Sequence, residues 1–287
     1  MNYTIIGFLS ILVWATCPTM FLITKHIPPF QLMTIIMFFA CLATSTVTTV
    51  TNSWKDLSIL PRRLFVSAIT GICLNDIFYC LAFRYAPPAE TELLTYSWPV
   101  MILLSLYFFY NSSISTSQII AVVFSICGIC TLLAHELGTE FAVSHLWGYL
   151  FALLAAACWA YFSLIIKQHN HFSSALYTVV MAIGFVINAA LMFMFETPVS
   201  LSYTDVIMCG YMGTITHSLS YFFWELGLSK GDTTRLTVSV YWIPLLSVLL
   251  LVSLGQIVLT TTIVVSLSLM FTSSMILIYN PTSVRAH

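Results

Sequence analysis

Asp76 and His217 are hard to reconcile with their surroundings, because each ionisable side chain is set inside a long apolar run of this 287-residue chain. Asn75, Asp76 and Tyr79 share one such run. In the next, Glu92, Tyr96 and Pro99 recur at i, i+4, i+7, the spacing of one helix face. His217, Tyr221, Trp224 and Glu225 follow the same rule at i, i+4, i+7, i+8, and Thr237, Tyr241 and Pro244 repeat the first spacing. Ionisable groups within apolar helices face a bundle interior or a water-filled cavity. There a carboxylate such as Asp76 can hold a solute ammonium or exchange a proton. Pairing with another polar side chain is the competing reading, and His217 has the same two readings. Trp14, Tyr79, Tyr96, Trp159, Tyr221 and Tyr241 sit deep in their runs. Taken singly, each fits core packing as well as ligand contact. Together they suggest a cavity walled by rings, suited to a largely apolar or aromatic solute through stacking and edge contacts.

Something must carry these residues, and composition says what. The chain is 60% apolar, 15% aromatic and 7% charged, with nine Lys/Arg and ten Asp/Glu. Soluble domains carry about 25% charged residues, so nineteen charges cannot clothe a surface in water. A soluble enzyme, a disordered segment and, at a net charge of −1 with no basic patch, a nucleic-acid binder are excluded. A bilayer-spanning helix takes about 20 residues. The apolar runs predict ten: 3–24, 29–51, 64–84, 89–110, 116–134, 145–167, 172–195, 203–228, 233–252 and 257–279. Pro28-Pro29, Pro61, Pro87-Pro88, Pro198 and Gly231-Asp232 punctuate them. No connector could house a catalytic domain. Met1–Thr4 carries no basic residue, so the first run reads as a retained helix rather than a signal peptide.

With ten crossings, alternate connectors share a side. One set, with the C-terminus, holds Lys55, Arg62, Arg63, Lys167, Lys230, Arg235 and Arg285; the other holds Lys25 and Arg84. The positive-inside bias then places both termini in the cytoplasm. Tyr3, Trp54, Trp147 and Tyr279 stand at run ends as interfacial rings. The eight cysteines all fall inside predicted helices, so they imply no disulfide framework, and Cys127-x-x-Cys130 reads as packing. The Asn111-Ser112-Ser113 sequon falls in a cytoplasmic turn.

An internal repeat organises the runs. At a constant offset of 145, Trp14 falls on Trp159, Ala15 on Ala160, Phe78 on Phe223, Leu81 on Leu226, Tyr96 on Tyr241 and Pro99 on Pro244. Two matched Trp and two matched mid-helix Pro are not the coincidences expected among apolar sequences. A unit of five runs is odd, so its second copy enters the membrane in the opposite sense. This predicts an all-α membrane protein of ten helices in two inverted five-helix repeats around a central cavity, the architecture of secondary transporters. The repeats cover 1–134 and 145–287, joined by 135–144. Pro99 and Pro244 each free a carbonyl and kink their helices at matching depths, as rocking elements or as packing kinks.

The runs from Glu90 to Pro99 (ETELLTYSWP) and from Trp224 through Gly227, Gly231-Asp232 and Tyr241 to Pro244 resemble the EamA-type drug/metabolite transporter superfamily. Within it the sequence is most similar to aromatic amino acid exporters of bacterial inner membranes. The resemblance implies ten spans with cytoplasmic ends, a monomer or an unknown oligomer, and a central cavity lined from both halves. It carries substrate contact to Trp14, Asp76, Tyr96, Trp98, Trp159, Trp224 and Tyr241. Tyr79, His217 and Tyr221 join them from the polar-face reading. Glu225, Arg235 and Asn75 depart from the exporter pattern. The expected function is export of an aromatic or other small zwitterionic amino acid by alternating access. Import or exchange of another metabolite, such as S-adenosylmethionine, is the alternative, and a non-transporting membrane scaffold a third. No phosphate-binding loop of the P-loop type occurs, so a gradient drives the flux. No redox, metal or nucleophile constellation is present, so no enzyme activity and no cofactor are expected.

Overall fold

The computed structural model describes residues 3–110, 115–138, 143–166, 173–231, 236, 239–240 and 242–279. Tyr241, Thr237, Arg235, Arg285 and the Asn111-Ser112-Ser113 turn lie outside the described residues, as does the side chain of Glu225. Within them the chain is helix and connector, with no strand. In order come α1 (Tyr3–Trp14), α2 (Cys17–Ile23), α3 (Pro29–Val50), a short 3-10 turn (Trp54–Ser58), α4 (Arg62–Ala68), α5 (Asn75–Tyr85), α6 (Pro88–Thr95) and α7 (Trp98–Tyr110). The rest are α8 (Thr116–Gly138), α9 (Val143–Ile166), α10 (Ser174–Phe195), α11 (Tyr203–Tyr211), α12 (Ser220–Lys230), α13 (Trp242–Ser253) and α14 (Thr261–Tyr279).

Among the described residues, six runs are long and apolar enough to cross a bilayer: Tyr3–Ile23, Pro29–Val50, Arg62–Tyr85, Pro88–Phe109, His145–Ile166 and Ser174–Phe195. Six is fewer than the ten expected from the sequence. The other expected runs are helical over Thr116–Gly138, Tyr203–Lys230, Trp242–Ser253 and Thr261–Tyr279. Apolar side chains fill the core and also cover the outside, and polar groups are admitted to the interior. Ile5, Leu42, Phe108, Val123, Val186 and Phe193 are exposed, while Ser10, Gln31, Asp76, Glu92, Asn188, Thr216, His217 and Ser247 are buried. An apolar exterior with ionisable groups held inside is what a lipid solvent selects. Trp54 and Trp147, assigned to the interface, are exposed.

Proline and widened turns segment the rods. Pro18 has no N–H to give and its ring crowds the preceding turn, so α1 ends at Trp14 and α2 starts at Cys17. Pro99, second residue of α7, and Pro244, third of α13, act likewise at matched positions. Between α4 and α5 lies a π-helical stretch, Ile69–Leu74, and between α11 and α12 another, Met212–Leu219. Subtracting 145 from 214–219 gives 69–74, so the two widened turns coincide under the sequence repeat.

Packing follows the same offset. α1 lies along α12, and α5 along α9; α3 pairs with α10, and α8 with α14. Ser10 Oγ donates to the Ser220 carbonyl at 2.7 Å, tying α1 to α12. Asn75 Nδ2 donates to the Ala155 carbonyl at 2.9 Å, tying α5 to α9. Positions 10 and 155 are 145 apart, as are 75 and 220, so one staple occurs twice with its donor exchanged. At the α1–α12 crossing a side chain on Gly227 would meet Gly7 Cα at 2.6 Å. The matched pair at the α5–α9 crossing, Ala82 and Ala152, is fully buried in one cluster. Small residues let the backbones of membrane helices approach.

Candidate functional site

Buried polar groups gather where the π-helical stretches meet the broken first helix. A π turn inserts one residue too many for the i−4 ladder and leaves its carbonyls free for other partners. The Thr216 carbonyl accepts Trp14 Nε1 at 3.3 Å and also the Ser220 hydroxyl. The Thr16 and Tyr211 hydroxyls lie 3.0 Å apart across the same junction. Trp14, at the α1 break, is thereby hung on the second half of the chain.

Tyr221 is the hub of the rings. Its centroid lies 5.6 Å from that of Trp14, 6.0 Å from Trp159 and 5.4 Å from Tyr177, and Trp14 continues to Trp224 at 5.6 Å. These are the spacings at which aromatic edges meet faces favourably. Tyr96 and Trp98 pack against the same wall with Trp14, Trp224, Ile11 and Ile243. Of the deep rings grouped in the sequence, the structure brings Trp14, Trp159 and Tyr221 together with Trp224 and Tyr177, turns Tyr79 elsewhere and leaves Tyr241 outside the described residues. Tyr177 lies among ordinary apolar residues of α10, and nothing in its local pattern marks it.

Beside the rings, His217 Nε2 lies 3.3 Å from Asp76 Oδ2, with both side chains almost fully buried. The structure therefore gives Asp76 the polar partner that the competing sequence reading required. His217 Nδ1 lies 2.9 Å from the Met212 carbonyl and 2.8 Å from Thr216 Oγ1. Tyr79, grouped with Asp76 in the sequence, turns elsewhere. Its hydroxyl donates to Glu92 Oε2 at 2.6 Å, and Ser247 Oγ donates to Glu92 Oε1 at 3.1 Å. Phe21 and Phe83 enclose the Tyr79 ring, with centroids at 5.2 and 4.8 Å. Glu92 is 1% exposed and joins three rods, α5, α6 and α13. Its i, i+4, i+7 relation to Tyr96 and Pro99 was legible, but its fixing by two hydroxyls was not. Ser247 carried no signal at all.

The centre is closed on itself in this structure: Asp76 and His217 are each 6% exposed and Tyr221 is 8%. A cavity of about 170 Å³ opens to one side, lined by Tyr96, Pro99, Pro244, Met270 and Phe271 among others. It sits at the two matched proline kinks. Tyr96 thus borders both the ring cluster and this space.

A bundle with apolar outside, paired crossings and ionisable groups held at its core defines a membrane transporter. The family model for EamA-like transporters matches residues 1–134 and 146–279, and the chain belongs to that family. A protein of Ancylobacter novellus named aromatic amino acid exporter YddG is 29% identical over 88% of this chain and 88% of its own length. The YddG of Salmonella typhimurium is 22% identical over 67% of this chain and 69% of its own. An uncharacterized transporter of Archaeoglobus fulgidus is 23% identical over 83% of each. A solved crystal structure at 23% identity covers 99% of this chain and 98% of its own with a TM-score of 0.74, a likeness of fold.

Proposed function

We propose that this chain is a bacterial inner-membrane secondary transporter that exports aromatic or other small zwitterionic amino acids by alternating access. It is read as ten spans in two inverted repeats, 1–134 and 145–287, joined by 135–144, with both termini cytoplasmic and no enzyme activity. The observation that carries this reading is the exchanged staple, Ser10 to Ser220 and Asn75 to Ala155, around one shared ring cluster. Two odd-numbered units meeting through matched but exchanged contacts are what an in-plane pseudo-dyad produces. Connectors assigned to one side also touch one another. His26 pairs with Asp205 at 3.0 Å, and Glu196 accepts the Phe30 and Gln31 N–H groups at 2.8 Å. On the other side Ser173 donates to Asp56 at 3.0 Å.

The solute contacts proposed are Trp14, Asp76, Tyr79, Tyr96, Trp98, Trp159, His217, Tyr221, Trp224 and Tyr241. Rings from both halves favour a ring-bearing solute, as does the likeness to the Ancylobacter exporter. The gate is placed at the matched kinks of Pro99 and Pro244, where a cavity already lies.

The test is counterflow of labelled tryptophan, phenylalanine and tyrosine in proteoliposomes, with S-adenosylmethionine as competitor. Saturable exchange of the aromatic amino acids is expected. Exchange of S-adenosylmethionine alone would shift the substrate to the alternative metabolite class, and no flux of any solute would leave a scaffold.

A further inference from the structure

We infer that Asp76 and His217 are the two poles of a zwitterion site: the carboxylate takes the solute's α-ammonium and the imidazolium its α-carboxylate, each exchanging its present partner for the solute. This rests on the amino acid reading above and adds how the backbone of the solute is recognised.

The orientation of the imidazole follows from its hydrogen-bond partner. His217 Nδ1 lies 2.9 Å from the Met212 carbonyl, which can only accept, so that nitrogen carries a hydrogen. Nε2 faces the Asp76 carboxylate. The imidazole thus turns Nε2 to a buried carboxyl group, and two ionisable side chains meet across the halves. At 3.3 Å the contact is long for an N–H···O bond, and Asp76 Oδ2 has no hydrogen-bond partner. A buried carboxylate oxygen held only by a loose ion pair is a strong attractor for a better donor, and an ammonium supplies one.

Position completes the site. Asp76 comes from the first half, two residues past its π-helical stretch, and His217 from inside the second stretch. One turn beyond His217 on the same face stands Tyr221, hub of the ring cluster with Trp14, Trp159 and Tyr177. A solute with adjacent ammonium and carboxylate would replace the pair charge for charge while its ring lies against Tyr221. Because the pair joins the two halves, binding also removes an inter-half contact. That is a differential interaction between closed and open states, which alternating access needs. An amine or an acid alone would replace one pole and leave the other buried and unpaired.

The experiment measures equilibrium binding to the purified, reconstituted protein with tryptophan, tryptamine, indole-3-propionate and leucine. The wild type should bind tryptophan about ten- to a hundredfold more tightly than either single-charge analogue. Asp76→Asn should lose tryptophan binding by a like factor and keep or gain indole-3-propionate. His217→Gln should lose tryptophan and keep or gain tryptamine. The double variant Asp76→Asn/His217→Gln, with no buried charge left unpaired, controls for folding and should lose the preference for the zwitterion. Wild-type affinity for tryptophan in both single variants would overturn the inference, as would equal loss of all ligands in folded single variants. Wild-type binding of leucine without tryptophan would sink the aromatic reading and keep the zwitterion site. Binding of neither amino acid would sink both.

Discussion

The two halves of this chain share a scaffold and divide a chemistry. At an offset of 145 the widened turns coincide, Pro99 falls on Pro244, and the helix staples repeat with donor and acceptor exchanged. Yet Asp76 falls on Tyr221, Glu92 on Thr237 and Ile72 on His217. At these three positions the acids stand in the first half and the histidine in the second. The first helix differs as well: it breaks after Trp14, whereas its counterpart α9 runs unbroken from Val143 to Ile166. The repeat thus sets where helices touch and turns widen, and departures from it set which charges meet. Selection on a duplicated bundle can alter an interior side chain at one position only, whereas moving a crossing disturbs both sides of an interface.

That contrast can be broken experimentally. The largest effect is expected at Tyr221, which touches three rings while its counterpart Asp76 holds one ion pair. Tyr221→Ala should cost about 3–5 kcal/mol, as large aromatic truncations in packed cores do, and abolish counterflow. A melting temperature in detergent equal to that of the wild type would show that the rings do not act as a unit. Next comes the crossing. Gly227→Val drives a side chain into the Gly7 backbone and should cost about 1–3 kcal/mol by overpacking. At the matched crossing Ala152→Gly removes a methyl and should cost about 0.5–1 kcal/mol. Equal melting shifts would deny the asymmetry.

Glu92→Leu strands the Tyr79 and Ser247 hydroxyls and should cost about 1–3 kcal/mol, with slowed counterflow. Glu92→Gln keeps an acceptor and should recover most of both. Identical behaviour of the two variants would remove the hydroxyl bridge from the account. The smallest effect separates the matched tryptophans. Trp14→Phe loses the bond to the Thr216 carbonyl and should cost about 1 kcal/mol more than Trp159→Phe. Melting curves of the two variants that superpose would put the pair on equal terms.

How much could be read in advance differs by level. Helix content and the offset of 145 were legible because apolar periodicity and rare matched residues are local signals. So was the nearness of Trp14, Trp159 and Tyr221, because deep polar-ring residues have few places to go in lipid. The departure of Tyr79 from Asp76 to Glu92 was not legible. One turn of helix holds Tyr79 and Asp76, and which faces which neighbour depends on the π-helical stretch upstream, whose extra residue rotates the register.

Sequence alone determined that the chain is a duplicated apolar helical bundle with charge admitted at few points, since composition and spacing fix what lipid will accept. Only the tertiary structure decided which charges meet. The Asp76–His217 pair joins residues 141 positions apart, and no local pattern encodes so distant an encounter. It arises where two widened turns bring the rods together, and the low dielectric there makes partner choice decisive.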